Sequence, residues 1–177
     1  MSTPDAPRLA GAARATSTRV GVFAAYAAQG LGYAVVVTSL PALKERQGVD
    51  DTVVTLIVLG VAIAAAGGSV LANALAVRFG SRTALVAGLL LQAAALPAIA
   101  LPTPFPLFVS LFAVYGIGLG CVDAATAMQG VIVQRAHGKP LLGGFFSAYT
   151  AAAIAGALLV SAIAASPFAA GVAIGTA

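Results

Sequence analysis

Residues 20–43 (VGVFAAYAAQGLGYAVVVTSLPAL) contain no Asp, Glu, Lys or Arg. An α-helix rises about 1.5 Å per residue, so this run is long enough to cross the roughly 30 Å hydrocarbon core of a bilayer. Three further runs, at 52–77, 83–122 and 140–177, also lack these charged residues. The sequence therefore predicts an all-α integral membrane protein, a helical bundle whose partner is the lipid bilayer.

The composition separates this chain from soluble proteins. Hydrophobic residues make up 60% of it and charged residues 8%, and the mean hydropathy of +1.03 lies outside the globular range. The net charge of +4 comes from basic residues dispersed at the ends of apolar runs, so it does not indicate nucleic-acid binding. The single cysteine, Cys121, cannot form an internal disulfide or a Cys-x-x-Cys metal pattern, and no metal or cofactor is expected.

Polar gaps and prolines set the boundaries of the predicted spans. We expect residues 1–19 to form a disordered cytoplasmic tail and residues 20–177 to form the transmembrane domain. The complete spans are predicted at about 20–43, 52–77, 83–101, 107–133 and 141–165, with a partial sixth span at 168–177. That last stretch would form about 15 Å of helix, half of a bilayer core. We therefore expect a truncated sixth helix, and a chain that is a fragment unable to transport by itself.

The basic residues predict the orientation in the membrane. With the N-terminus in the cytoplasm, seven Lys and Arg residues lie inside, and only Lys44 and Arg46 lie outside. This positive-inside bias favours a multi-pass protein of the plasma membrane with a cytoplasmic N-terminus. A cleaved signal peptide is the alternative for the first run, but that run exceeds the usual length and no small-x-small site follows it.

Asp123 is the one formal charge inside the predicted spans. It lies about 16 residues, or roughly 24 Å, into the fourth span. A charge at that depth is costly, so we expect it to face protein or water. Either it lines a cavity as a protonatable acid, or it is a structural carboxyl bonded to a neighbouring helix. The small or polar residues within about 60° of it on the same helix are Gly116, Gly120, Thr126, Ala127, Gly130 and Gln134.

Polar side chains also share one face of the first span. Tyr26, Gln29 and Tyr33 either line a substrate path, or pack against a neighbouring helix or sit in an aromatic belt, and packing is the favoured interpretation. Asn73 and Gln92 are isolated amides within apolar runs. We interpret them as interhelical hydrogen bonds rather than ligand contacts.

Residues 73–82 (NALAVRFGSR) resemble a loop of the major facilitator superfamily, the one between its second and third helices. That pattern reads roughly Gly-x-Leu-Ala-Asp-Arg-x-Gly-Arg-Arg. The matching residues are Leu75, Ala76, Arg78, Gly80 and Arg82, and the departures are Asn73 for Gly, Val77 for Asp and Ser81 for Arg. The resemblance implies that Arg78, Gly80 and Arg82 form a cytoplasmic gate loop without its usual acidic partner.

A second stretch is similar to the fucose-permease-like branch of that superfamily. The pattern there runs approximately Asp-x-x-x-Asn-x-x-Gly and then His-x-x-Phe-Ser-x-Gly. The matching residues are Asp123, Gly130, Phe146 and Ser147, while Ala127, Gly143 and Tyr149 stand for Asn, His and Gly. Together the resemblances cover most of the chain from about residue 20. They imply the N-terminal half of a twelve-helix transporter whose first and fourth helices line a midplane site.

The favoured hypothesis is a secondary active transporter of a small-molecule substrate, with a proton as the candidate coupling ion. The candidate substrate and ion pathway consists of Tyr26, Gln29, Tyr33, Asp123, Thr126 and Gln134. The alternative is a small non-transporting membrane protein that acts as an interaction or assembly partner. An enzyme is not predicted, because the sequence offers no nucleophile–base set, metal-ligand cluster or phosphate-binding loop.

Overall fold

The computed structural model describes residues 6–165, with side chains described from Thr18 onward. These residues form five α-helices: α1 (Ala6–Gln47), α2 (Asp51–Phe79), α3 (Ser81–Ala100), α4 (Phe105–His137) and α5 (Leu142–Ala164). Each contains a segment long and apolar enough to cross a membrane, which in α1 is Thr18–Gln47. The predicted all-α bundle with five complete spans is confirmed. The predicted partial span at 168–177 lies outside the described residues.

Helix α1 differs most from the sequence prediction. Its backbone is helical from Ala6, so the predicted disorder of residues 1–19 is wrong for residues 6–19. Residues 6–17 are rich in Ala, the strongest helix former, and they extend the helix beyond the apolar run. Residues 1–5 lie outside the described part of the chain, and the cytoplasmic location of this end stays a prediction.

The helices pack in two groups. Helix α4 lies along both α2 and α3, and α1 lies along α5, whereas the contact between α1 and α4 is thinner. Glycines bring the backbones together within each group. A Cβ atom on Gly120 would collide with the Ala65 carbonyl of α2, and one on Gly30 would collide with the Tyr149 carbonyl of α5. Such close approach is expected in a bilayer, where van der Waals packing rather than water exclusion drives helix association.

The turn between α2 and α3 depends on one glycine. Gly80 has φ 88° and ψ 151°, a backbone conformation that essentially only glycine adopts. Its N–H donates to the Ala76 carbonyl at 3.0 Å, which closes the end of α2. Helix α3 can therefore begin at Ser81, and the two helices turn back on each other without a longer loop.

At the opposite end of the bundle, Arg46 joins the end of α1 to the end of α3. Its guanidinium donates two hydrogen bonds of 2.6 Å, from Nη1 to the Ala100 carbonyl and from Nη2 to the Ile99 carbonyl. The last carbonyls of a helix have no donor within the helix, and a cation there also complements the helix dipole. Gln47 Nε2 adds a bond of 3.2 Å to the Thr103 carbonyl.

We expect Arg46→Ala to lower the free energy of unfolding by about 2 kcal/mol, because two charge-assisted hydrogen bonds are lost. Lys44→Ala is the matched control, since Lys44 forms an ion pair with the exposed Asp51, a kind worth at most about 1 kcal/mol. Thermal unfolding in detergent micelles, followed by circular dichroism, measures both variants. Equal melting temperatures for the two variants would contradict the role assigned to Arg46.

Candidate functional site

Polar side chains from three helices form a hydrogen-bonded chain at the boundary between the two helix groups. Gln92 Nε2 of α3 donates to Gln29 Oε1 of α1 at 2.9 Å. Gln29 Nε2 donates to Asp123 Oδ1 of α4 at 2.8 Å, and to the Leu119 carbonyl at 3.4 Å. We call Gln92, Gln29 and Asp123 the polar chain. Its direction of donation makes the Asp123 oxygen an acceptor, which suits an ionised carboxylate.

The polar chain leads from the interior of the bundle to its surface. Gln92 is 5% exposed and Gln29 is 2% exposed, whereas Asp123 is exposed. Buried amides are normally hydrogen-bonded, and here each one uses its partner along the chain for that purpose. The two glutamines therefore bind the carboxylate on its interior side. The other side of Asp123 is exposed at the surface of the bundle, which we call the open face.

The structure divides the predicted pathway residues of α1 and α4 between this open face and the interior. Tyr33 is 43% exposed and lies on the surface. Tyr26 is buried, with its ring stacked on Phe145 at a centroid distance of 5.5 Å. Thr126 is buried, and its hydroxyl donates to the Val122 carbonyl at 2.8 Å. Tyr26 therefore packs against Phe145 of α5, whereas Gln29 and Asp123 are joined by a hydrogen bond.

Gln134 is hydrogen-bonded to the start of α5 rather than to the other predicted pathway residues. Its Oε1 accepts hydrogen bonds from the N–H groups of Leu141 at 3.0 Å and Leu142 at 3.2 Å. These N–H groups lie at the start of α5, where a helix has donors without internal acceptors. Gln134 therefore caps α5 across the loop that joins it to α4.

The predicted gate loop is held by a neutral contact. Gln129 Nε2 of α4 donates to Ser81 Oγ at 2.9 Å, and Val77, which stands where an acid is usual, is 81% exposed. Within residues 18–165, neither Arg78 nor Arg82 forms an ion pair. Arg82 instead lines a cavity of about 640 Å³ between α1 and α3.

The structure adds Gln92 to the site and places Tyr115 in the core beside it. Gln92 is an interhelical hydrogen-bonding amide, as predicted, but its partner is the residue that holds Asp123. Tyr115 is 1% exposed, and its buried hydroxyl has no hydrogen-bond partner within the described residues. Tyr149, Tyr33 and Asp123 are the electrostatic neighbours of that hydroxyl. Tyr115 precedes Asp123 by eight residues, which rotates it about 80° from Asp123 around α4, so nothing in the sequence indicated their proximity.

Two of the small residues on the Asp123 side of α4, Gly116 and Gly120, pack against a neighbouring helix instead of lining the site. A Cβ atom on Gly116 would lie 2.7 Å from the Val61 carbonyl of α2, and Gly120 touches the same helix at Ala65. These two glycines therefore do not line the open face beside Asp123, because α2 covers them.

Comparison with known proteins agrees with this architecture. The sequence profile of the Major Facilitator Superfamily matches residues 22–176. An uncharacterized MFS-type transporter of Yersinia pestis is 30% identical over 154 residues, which are 86% of this chain and 39% of that protein. The chain thus spans about two fifths of the length of this relative. None of the solved structures matches the chain. With the profile covering five apolar helices of spanning length, this multi-pass membrane protein belongs to the major facilitator superfamily.

Proposed function

We propose that this chain forms one wall of a solute pathway in a secondary active transporter of small solutes in the plasma membrane. The observation that carries the proposal is the Asp123 carboxylate, which lies within a membrane-spanning helix on an open face and is held by Gln29. Ionisable side chains within membrane spans are costly and mark substrate and ion pathways. A purely structural carboxyl would be expected in the interior with both oxygens paired, whereas one Asp123 oxygen accepts no bond from residues 18–165.

A proton is the coupling ion that we propose. Asp123 is the titratable carboxyl of the site, and no Lys, Arg or His of residues 18–165 forms an ion pair with it. The other titratable groups near it are tyrosine hydroxyls, at Tyr26, Tyr115 and Tyr149. Uptake and release of one proton at this carboxylate would change the charge of the pathway wall by one unit.

Solute-driven proton movement tests the proposed function. Inside-out vesicles are prepared from cells that express the natural reading frame, and a pH-sensitive dye is enclosed. We expect at least one class of solute, among sugars, amino acids, organic acids and amines, to cause a pH change that control vesicles lack. If the protein is inserted and no class does so, transport is refuted and the non-transporting membrane partner is favoured.

A cytoplasmic N-terminus is the orientation that we propose, and cysteine labelling checks it. Lys44 and Arg46 lie at one end of the bundle, and the α2–α3 and α4–α5 turns carry the basic residues of the other end. Glu45 and Ala136 are exposed at opposite ends and suit single cysteine substitutions in a Cys121→Ala background. We expect a membrane-impermeant maleimide added outside intact cells to label position 45 and not position 136. Labelling of position 136 and not of position 45 would show that the N-terminus lies outside the cell.

We further propose that Arg78, Gly80 and Arg82 form a cytoplasmic gate loop. The Gln129–Ser81 hydrogen bond supports this role, because it attaches the loop to α4, the helix that carries Asp123. The bond is neutral, so a loop opened by solute binding would close again without forming an ion pair.

Within the superfamily, we propose that the chain belongs to the fucose-permease-like branch. Two of the matched residues, Gly130 and Phe146, support this placement because both lie against Tyr26. Phe146 packs edge-on against Tyr26, at a centroid distance of 5.4 Å. Gly130 lies against the Tyr26 hydroxyl, where a Cβ atom would be 3.3 Å away.

A further inference from the structure

The free side of the Asp123 carboxylate indicates which class of solute the pathway accepts, an inference that rests on the proposed function. Oδ1 accepts from Gln29 at 2.8 Å, and no second donor to the carboxylate occurs within residues 18–165. No cationic side chain of those residues forms an ion pair with it. A carboxylate in surroundings of low dielectric constant is unfavourable without a counter-charge. An occupant with a positive charge would supply the missing counter-charge.

Two polar side chains beside Asp123, Gln29 and Thr126, already use their donors within the protein. Both polar atoms of the Gln29 amide are hydrogen-bonded: Oε1 accepts from Gln92, and Nε2 donates to Asp123. The Thr126 hydroxyl donates to the backbone of its own helix. A sugar or other polyol needs several oriented donors and acceptors, and these side chains are not free to provide them. Gln29 and Thr126 therefore offer a polyol no free donor.

Tyrosines of α1 and α5 lie near the carboxylate. Tyr149 of α5 has Asp123 and Tyr33 of α1 as the electrostatic neighbours of its hydroxyl. Tyr33 is 43% exposed, whereas Tyr115 of α4 is 1% exposed and lies behind the face that an occupant could contact. Aromatic rings attract cations through their electron-rich faces and at the same time contact apolar groups.

We propose that the pathway at Asp123 accepts organic cations. The positive charge lies against the free carboxylate oxygen, and the apolar body contacts Tyr33 of α1 and Tyr149 of α5. Anionic solutes are repelled by the same carboxylate, and neutral solutes of equal size gain only the apolar contact.

Protection of Asp123 from dicyclohexylcarbodiimide tests this assignment without requiring transport. This neutral, apolar reagent adds to a carboxyl group and gives a stable N-acylurea, which peptide mass spectrometry assigns to Asp123. The 177-residue protein in lipid nanodiscs is labelled with benzyltrimethylammonium, benzyl alcohol or benzoate present. We expect the cation alone to slow the labelling, saturably and about fivefold, as one charge–aromatic contact implies. Asp51→Asn, at an exposed acid paired with Lys44, is the control that should change nothing.

The possible outcomes separate this inference from the proposed pathway. Equal protection by benzyl alcohol, or none by the cation, would overturn the preference for cations while leaving an accessible pathway carboxylate. The reagent reacts with the protonated carboxyl, so labelling is repeated at acid pH. If Asp123 is not labelled there in the absence of any solute, the carboxylate is inaccessible, and both the inference and the pathway are refuted. Selective protection by benzyltrimethylammonium, lost when its concentration is lowered, would support the inference.

Discussion

Gly120→Ala is expected to disrupt the packing of α4 against α2 and to lower the melting temperature on the order of 10 °C. The added Cβ atom would collide with the Ala65 carbonyl. A backbone carbonyl within a helix cannot rotate away as a side chain can, so the two helices must separate. Overpacking of this kind costs about 3 kcal/mol, and separation also removes neighbouring contacts along the same interface.

Gly60→Ala is the matched control for this prediction. Gly60 also lies within a membrane-spanning helix, and a Cβ atom there would meet nothing within 4 Å. Alanine has a higher helix propensity than glycine, so the control is expected to be neutral or slightly stabilising. Cys121 provides the measurement, because it is the single cysteine and is 0% exposed. A thiol-reactive fluorophore reports its exposure on heating, and equal unfolding curves for both variants would contradict the proposed contact.

Asp123→Asn is expected to reduce solute-driven proton movement about tenfold or more, because an amide neither carries the charge nor exchanges the proton. Asparagine has nearly the same size, and its carbonyl oxygen can still accept the hydrogen bond from Gln29. The variant should therefore insert and unfold like the wild type. The loss of transport would then reflect the chemistry of the carboxylate and not a disrupted fold.

The dye-loaded vesicles used for the wild type measure this effect, and Asp51→Asn again serves as the control. Asp51 is exposed at the start of α2, so removing its charge should leave transport unchanged. Transport by Asp123→Asn that equals the wild type over the whole pH range would assign Asp123 a structural role. A fall in melting temperature equal to that of Gly120→Ala would indicate a folding defect instead.

The apolar runs of the sequence predicted the five spans well because a span is a local property of length and hydropathy. The start of α1 was missed for the complementary reason. Residues 6–17 are not apolar, and their helical state follows from propensity and from continuity with the span that follows. Pro102 correctly indicated the end of α3, which the structure places at Ala100.

The sequence predicted the candidate site only where a single residue type is informative by itself. Asp123 was identified because a carboxylate within a span is rare. Its bond to Gln29 depends on how α1 and α4 are rotated toward each other, which the sequence of either helix alone does not specify. Gln134 was predicted from its position on one helix face, whereas its hydrogen bonds to the N–H groups at the start of α5 depend on the turn between α4 and α5.

The division into two helix groups has a consequence for how relatives diverge. Within each group, backbones touch at residues such as Gly120 and Gly30, so almost any larger residue is excluded there. Between the groups, side chains such as Gln29 and Gln92 make the contact, and side chains can be exchanged without moving a backbone. Selection for a new solute can therefore act on the boundary while each group keeps its shape. Among the residues that join helices, relatives should therefore differ less at these glycines than at the side chains of the boundary, where an exchange changes the site and not the backbone.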